Sequence, residues 1–152
     1  MGKIEYKYID PPRNTEKAID FMKNVMLPMI REYWEAEGKN IYEAEMSFNI
    51  LTFIQMWNMG SLLIIIAYED SKPVGFFIGV RFTPLLFDAA AVQVEIYYAH
   101  SKEIEDGMFD YLMKIVGFMN LNEIWLSKDP GQNPNIPWTK KNSFTVTRYV
   151  KE

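Results

Sequence analysis

His100 and Glu95 are the two residues of this sequence with the strongest claim to chemistry. His100 is the only histidine, and an imidazole in a turn can act as a base or as a contact to a partner. Glu95 lies five positions earlier, within AAVQVEIYYA, on the same polar face as Gln93. Each also has a plainer reading: His100 as a polar residue in a surface turn, Glu95 as a solvated or hydrogen-bonded strand residue. A third feature is Gly107, which is surrounded by Glu103, Glu105, Asp106 and Asp110. Four carboxylates suit the start of a helix, where each is worth ~0.3 to 1 kcal/mol against the positive end of the dipole. They would repel a polyanionic ligand at the same place.

The elements that must position these groups lie between Ala91 and Asn120. Alternation puts Val92, Val94, Ile96 and Tyr98 on one face of a strand and Ala91, Gln93, Glu95 and Tyr97 on the other. After the polar HSKE, Met108, Tyr111, Leu112, Ile115, Val116 and Met119 recur at spacings of three and four, which predicts an amphipathic helix able to lie against a sheet. A further strand over Glu123 to Ser127 completes a βαβ unit. Its strand-to-helix turn is where such folds place a ligand.

Earlier in the chain, Ile4 to Ile9 reads as a strand stopped by Asp10-Pro11-Pro12. Asn14 or Thr15 can cap a helix that keeps its period to Gly38, with Pro28 expected to kink or split it near Val25 to Leu27. A second helical pattern, rich in Met, Phe and Trp, runs from about Ile41 to Met59. SLLIIIAYE is an apolar run expected of a strand buried on both faces, and VGFFIGVRF returns antiparallel to it after a turn at Asp70 to Pro73. Gly75 and Gly79 suggest close backbone approach or a bulge. The aromatic residues Phe48, Phe53 and Trp57 suit a core, or the wall of a groove.

The resulting order, β-α-α-β-β-β-α-β, resembles that of the GNAT superfamily, the acetyl-CoA-dependent N-acetyltransferases. The fold class expected is α+β with a mixed central sheet, as one domain over residues 1–152. That family writes its pyrophosphate loop as Val-x-Pro-x-x-(Arg/Gln)-x-x-Gly-x-(Gly/Ala), followed three positions later by Leu. On this chain the pattern falls on Ala99, Ser101, Ile104, Gly107, Phe109 and Leu112, and only Gly107 and Leu112 match. The tail adds spacing without identities: Trp138 to Phe144 stands where the family has its last helix, and TVTRYVKE where it has its last strand. The prolines between Asp129 and Pro137 shorten that helix or replace it with a loop.

The resemblance implies that acetyl-CoA, if bound, would lie against the backbone of Tyr97, Tyr98, Ala99, Glu105, Asp106, Gly107 and Met108. It makes Glu95 the family's base and puts His100 near the acyl group, while Thr139 replaces the family's tyrosine acid. Threonine is a poor proton donor near neutrality. Three readings follow: a GNAT-fold protein with a degenerate acetyl-CoA site acting as a binding or structural protein, as in some phages; an active N-acetyltransferase for an amine, a protein N-terminus or a lysine; or an unrelated α/β domain.

Composition narrows the partners. With 152 residues, 49% hydrophobic and 24% charged, the chain suffices for one core. Net charge is -4 with scattered basic residues, so neither nucleic acid nor a membrane surface is an expected partner. No cysteine and one histidine argue against a zinc cluster, and no metal is expected. The expected partner is an unidentified protein or a small amine, and the expected location cytoplasmic, or virion or host cytoplasm for a phage protein.

Overall fold

A computed structural model describes residues 2–39, 46–86, 88–126, 136–138, 149 and 151. Its frame is a five-stranded sheet in the order β1 (Ile4–Tyr8), β2 (Leu62–Glu69), β3 (Lys72–Phe82), β4 (Ala91–Ala99), β5 (Glu123–Leu126). The first four strands are antiparallel neighbours, and β5 joins β4 in parallel. The mixed sheet and the βαβ unit read from the sequence are what the chain forms, with that unit at one end of the described strand order.

The continuous apolar run of β2 is explained by layers on both sides. Ile64 and Ile66 face a core built on α1 (Thr15–Phe21), α2 (Leu27–Tyr33) and α3 (Ile50–Asn58). Leu63 and Ile65 face a second core under α4 (Lys102–Phe118), with Ile104, Met108, Phe109, Leu112 and Val116. The helical period of α4 thus serves one face of the sheet, and the Met- and aromatic-rich helices cover the other. Phe53 and Trp57 are core residues there.

Three local differences from the sequence reading have physical causes. Asn14 caps α1, its side chain accepting from the Glu16 and Lys17 N–H groups at 2.8 and 3.3 Å. The irregularity expected near Val25 to Leu27 is present as a distortion of the helical path and not as a split. The path passes through a wide π-helical turn, Met22–Met26, and Pro28 falls in the first turn of α2, where a missing N–H is tolerated. The next described helix begins at Ile50, where the Asn49 side chain accepts from Thr52 N–H at 3.0 Å and caps it. Residues 46–49 are not helical; 41–45 lie outside the described residues.

The third difference is in β4. Ile78 pairs with Ile96 but Gly79 pairs with Val94, so Glu95 is an extra residue in the strand, a bulge. The strict alternation expected from the sequence therefore breaks at Glu95. Val92, Val94 and Tyr97 share the α4 face, while Ile96 and Tyr98 pack on the other. Gly79 sits opposite the bulge because a Cβ there would meet Val92 Cγ2 at 2.6 Å. The expected bulge is thus real, and its inserted residue belongs to the partner strand. The proposed last helix and final strand fall almost wholly outside the described residues, as does Thr139.

Candidate functional site

Only two residues, His100 and Ser101, separate β4 from helix α4, and this short turn decides the local chemistry. Ser101 is extended, with φ -148 and ψ 161, and its hydroxyl accepts from Ile104 N–H at 3.2 Å. Glu105 N–H already bonds to the Ser101 carbonyl at 3.1 Å. Of the orphan N–H groups that open a helix, one is therefore used by the cap. The pattern placed on Ala99 to Phe109 is helical from Lys102 onward.

Within that first turn Lys102 Nζ contacts Glu105 at 2.7 Å and Asp106 at 3.0 Å. Those hydrogen bonds hold its pKa above the ordinary lysine value, the Glu105 bond contributing most. Two of the four carboxylates are thus paired within the helix. Phe109, in the family's small-residue position, turns fully inward and meets Tyr97 edge-on at 4.9 Å and Phe77 at 6.0 Å. Met108 is equally buried. Gly107 has a packing role: a Cβ there would collide with the Tyr6 side chain of β1, which fills the space.

The polar face of this region is built from β4 and α2. His100 Nε2 is paired with Glu32 Oε1, and the Tyr98 hydroxyl donates to the same oxygen at 3.4 Å. The Tyr98 and His100 rings meet edge-on at 6.1 Å. The His100 backbone is held by its N–H bonding to the Val74 carbonyl at 3.0 Å. Burial, then the Glu32 charge and hydrogen bond, push the Tyr98 phenol up. Glu32 was not foreseen: it is 66 positions from Tyr98, and no local spacing links the two.

Glu95 is elsewhere. Five strand residues cover roughly 16 Å, so Glu95 and His100 do not form one constellation. The Glu95 carboxyl is half-buried, has no hydrogen-bond or ion-pair partner among the described residues, and is raised above the usual carboxylate range by burial. The described β4–β5 pairing runs from Ala91 with Glu123 to Val94 with Leu126, ending immediately before it. Tyr97 is a core residue, its phenol pushed up to about 12 by burial, with Glu105 adding to the effect. Ala99, opposite Gly75, ends the strand.

Among the described residues there is no group of three His, Cys, Asp or Glu that could hold a metal, and no helix is long and apolar enough to cross a membrane.

Solved structures settle what this architecture is. An aminoglycoside acetyltransferase from an uncultured soil metagenomic sample, in complex with sisomicin, superposes with a TM-score of 0.72 at 9% identity, covering 97% of each chain. The chain has the GNAT acetyltransferase fold. A ribosomal-protein-alanine N-acetyltransferase from Brucella melitensis biovar Abortus 2308 matches over 97% of this chain and 100% of its own, with TM-score 0.64 and 15% identity. A predicted acetyltransferase with acetyl-CoA from Clostridium acetobutylicum matches over 92% and 96%, with TM-score 0.61 and 15% identity. No protein-family model matches the sequence, and no curated protein does. At such identities the GNAT likeness is one of backbone, and the side chains of the site must be argued on their own.

Proposed function

We propose that this chain is a GNAT-fold protein that works by binding a partner, its pyrophosphate loop having been replaced by a capped helix. The observation that carries this reading is Tyr6 against Gly107. In the GNAT family the small residues of this segment let phosphate reach backbone N–H groups. Here the first of them is covered by a tyrosine from β1, the second is the buried Phe109, and the segment is helical from Lys102. Glu103, Glu105, Asp106 and Asp110 outnumber Lys102, so even with its two ion pairs this turn keeps a net negative charge that repels a polyanion. These residues do not fit the pyrophosphate of acetyl-CoA.

A second reading, acetyl transfer to an amine, is favoured by Glu95. A half-buried carboxylate with a raised pKa and no described partner is a better proton acceptor than a solvated one. It stands at the bulge of β4, the strand matching the central one on which the GNAT family often has a glutamate base.

Titration calorimetry with acetyl-CoA, with the thermal midpoint followed in parallel, separates the two. The binding reading expects neither heat nor a shifted midpoint at millimolar ligand. Micromolar binding would raise stability by ~2.7 kcal/mol at a hundredfold excess over Kd, and that outcome overturns it. Glu95→Gln would then have to abolish transfer while leaving binding intact.

A further inference from the structure

The turn from β4 to α4 holds one group that the proposed function leaves unused, the second nitrogen of the His100 ring. In a neutral imidazole one nitrogen donates and the other accepts. Which does which is set by the hydrogen bond that one of them makes. Nε2 of His100 faces the Glu32 carboxylate. A carboxylate can only accept, so Nε2 keeps its proton whether the ring is charged or neutral. The proton that comes and goes is therefore the one on Nδ1. No described residue is bonded to Nδ1, and the His100 side chain is 40% exposed, within reach of a ligand.

Both members of the pair are held from behind. Glu32 precedes Tyr33, which is buried and meets the Phe76 and Tyr98 rings edge-on at 6.3 and 6.2 Å. Core packing thus fixes the Glu32 backbone. The Tyr98 hydroxyl donates to the same Glu32 oxygen as His100 and steadies the carboxylate. The His100 backbone is tied to the Val74 carbonyl, and its ring rests edge-on against Tyr98. An ordered carboxylate behind an imidazole is how proteins fix the tautomer and orientation that the ring presents. The surrounding charge narrows what Nδ1 can meet. Glu32 and Glu37 both act on the Tyr98 phenol, and Lys102, two positions beyond His100, is engaged by Glu105 and Asp106. An anion is unsuited to this place, whereas a group with a proton to give suits a bare nitrogen.

We propose that Glu32 and His100 form an acid–base pair, with Nδ1 as the atom that accepts a proton from a hydroxyl or amine of a bound molecule and Glu32 as its positioning residue. The proton passes from that O–H or N–H to Nδ1, the donor keeps the electron pair, and the imidazolium that results stays paired with the Glu32 carboxylate. This goes beyond the binding reading and does not depend on acetyl-CoA, so its failure would leave that reading standing. Because His100 is the only histidine, long-range proton–nitrogen NMR of 15N-labelled protein reads this ring alone. At alkaline pH the wild type should show a single tautomer, Nε2 protonated and Nδ1 bare, whereas an unconstrained imidazole is a mixture. On acidification Nδ1 alone should gain a proton. Glu32→Ala should return the ring to the mixture with far-UV circular dichroism unchanged, because the Glu32 side chain is exposed. Glu32→Gln, whose amide oxygen still accepts, should restore most of the single tautomer. Diethylpyrocarbonate, which acylates only an unprotonated ring nitrogen, should label wild-type Nδ1. A wild type in the mixed or Nδ1-protonated form overturns the proposal, as does a tautomer untouched by Glu32→Ala or a bare Nδ1 that the reagent does not reach.

Discussion

The Tyr6 side chain of β1 occupies the space that any side chain at Gly107 of α4 would need. The Tyr6 ring also stacks on Tyr111, at 6.3 Å and 26°, and the Tyr111 hydroxyl accepts from Tyr8 N–H at 3.2 Å. One face of α4 is thus seated on the edge strand through tyrosines. Gly107→Ala gains ~0.8 to 1.0 kcal/mol of helix propensity but must displace that ring, and overpacking of this kind costs ~1 to 3 kcal/mol. A net loss of stability is expected in urea denaturation, and it should shrink when Tyr6→Ala is added. Equal losses with and without Tyr6 would show that the glycine serves something other than this contact.

Glu95 should make stability fall as pH rises through the acidic range. Burial raises its folded pKa, whereas the unfolded chain keeps the ordinary value of ~4.3. Below that value both states are protonated and nothing is lost. Above it the unfolded state releases its proton first, so the penalty grows until pH passes the raised folded value, beyond which it is constant. Glu95→Gln should therefore melt above the wild type at pH 7 and with it near pH 4. A difference that is constant over that range would mean that charge is not the cause.

Trp57 Nε1 is a buried donor with no hydrogen-bond partner among the described residues, in a ring cluster with Phe21 at 5.3 Å and Phe53 at 6.0 Å. Leaving such a donor unpaired costs ~1 to 3 kcal/mol, so Trp57→Phe exchanges lost volume for a relieved polar group. The two should nearly cancel, within ~1 kcal/mol. Trp57→Ala, which removes the volume as well, should cost ~3 to 5 kcal/mol. A phenylalanine variant as unstable as the alanine one would reveal a hidden acceptor.

Much of the architecture was legible because it depends on local patterns. The β2 run could be read as buried on both faces from its composition alone, and the period of α4 from Met108 to Met119 named the side that faces the sheet. The hairpin turn announced itself at Asp70-Ser71, where both residues take positive φ, 48 and 69. The second helical pattern continues through Asn49, but residues 46–49 are not helical, and only the Asn49 side-chain cap marks where the described helix starts.

The site was less legible, for a different reason. The sequence by itself determined the order of elements, the candidates Glu95 and His100, and the mismatch of Ile104 and Phe109 with the family's loop. Tertiary structure decided how each is used. The bulge at Glu95 is a property of β3–β4 register, so alternation within β4 could not place Tyr97 on the α4 face. Glu32 meets His100 only because α2 lies across the end of β4, and Tyr6 meets Gly107 only because α4 crosses the sheet to β1. Contacts between residues far apart in the chain arise from packing, and periodicity within one element carries no record of them.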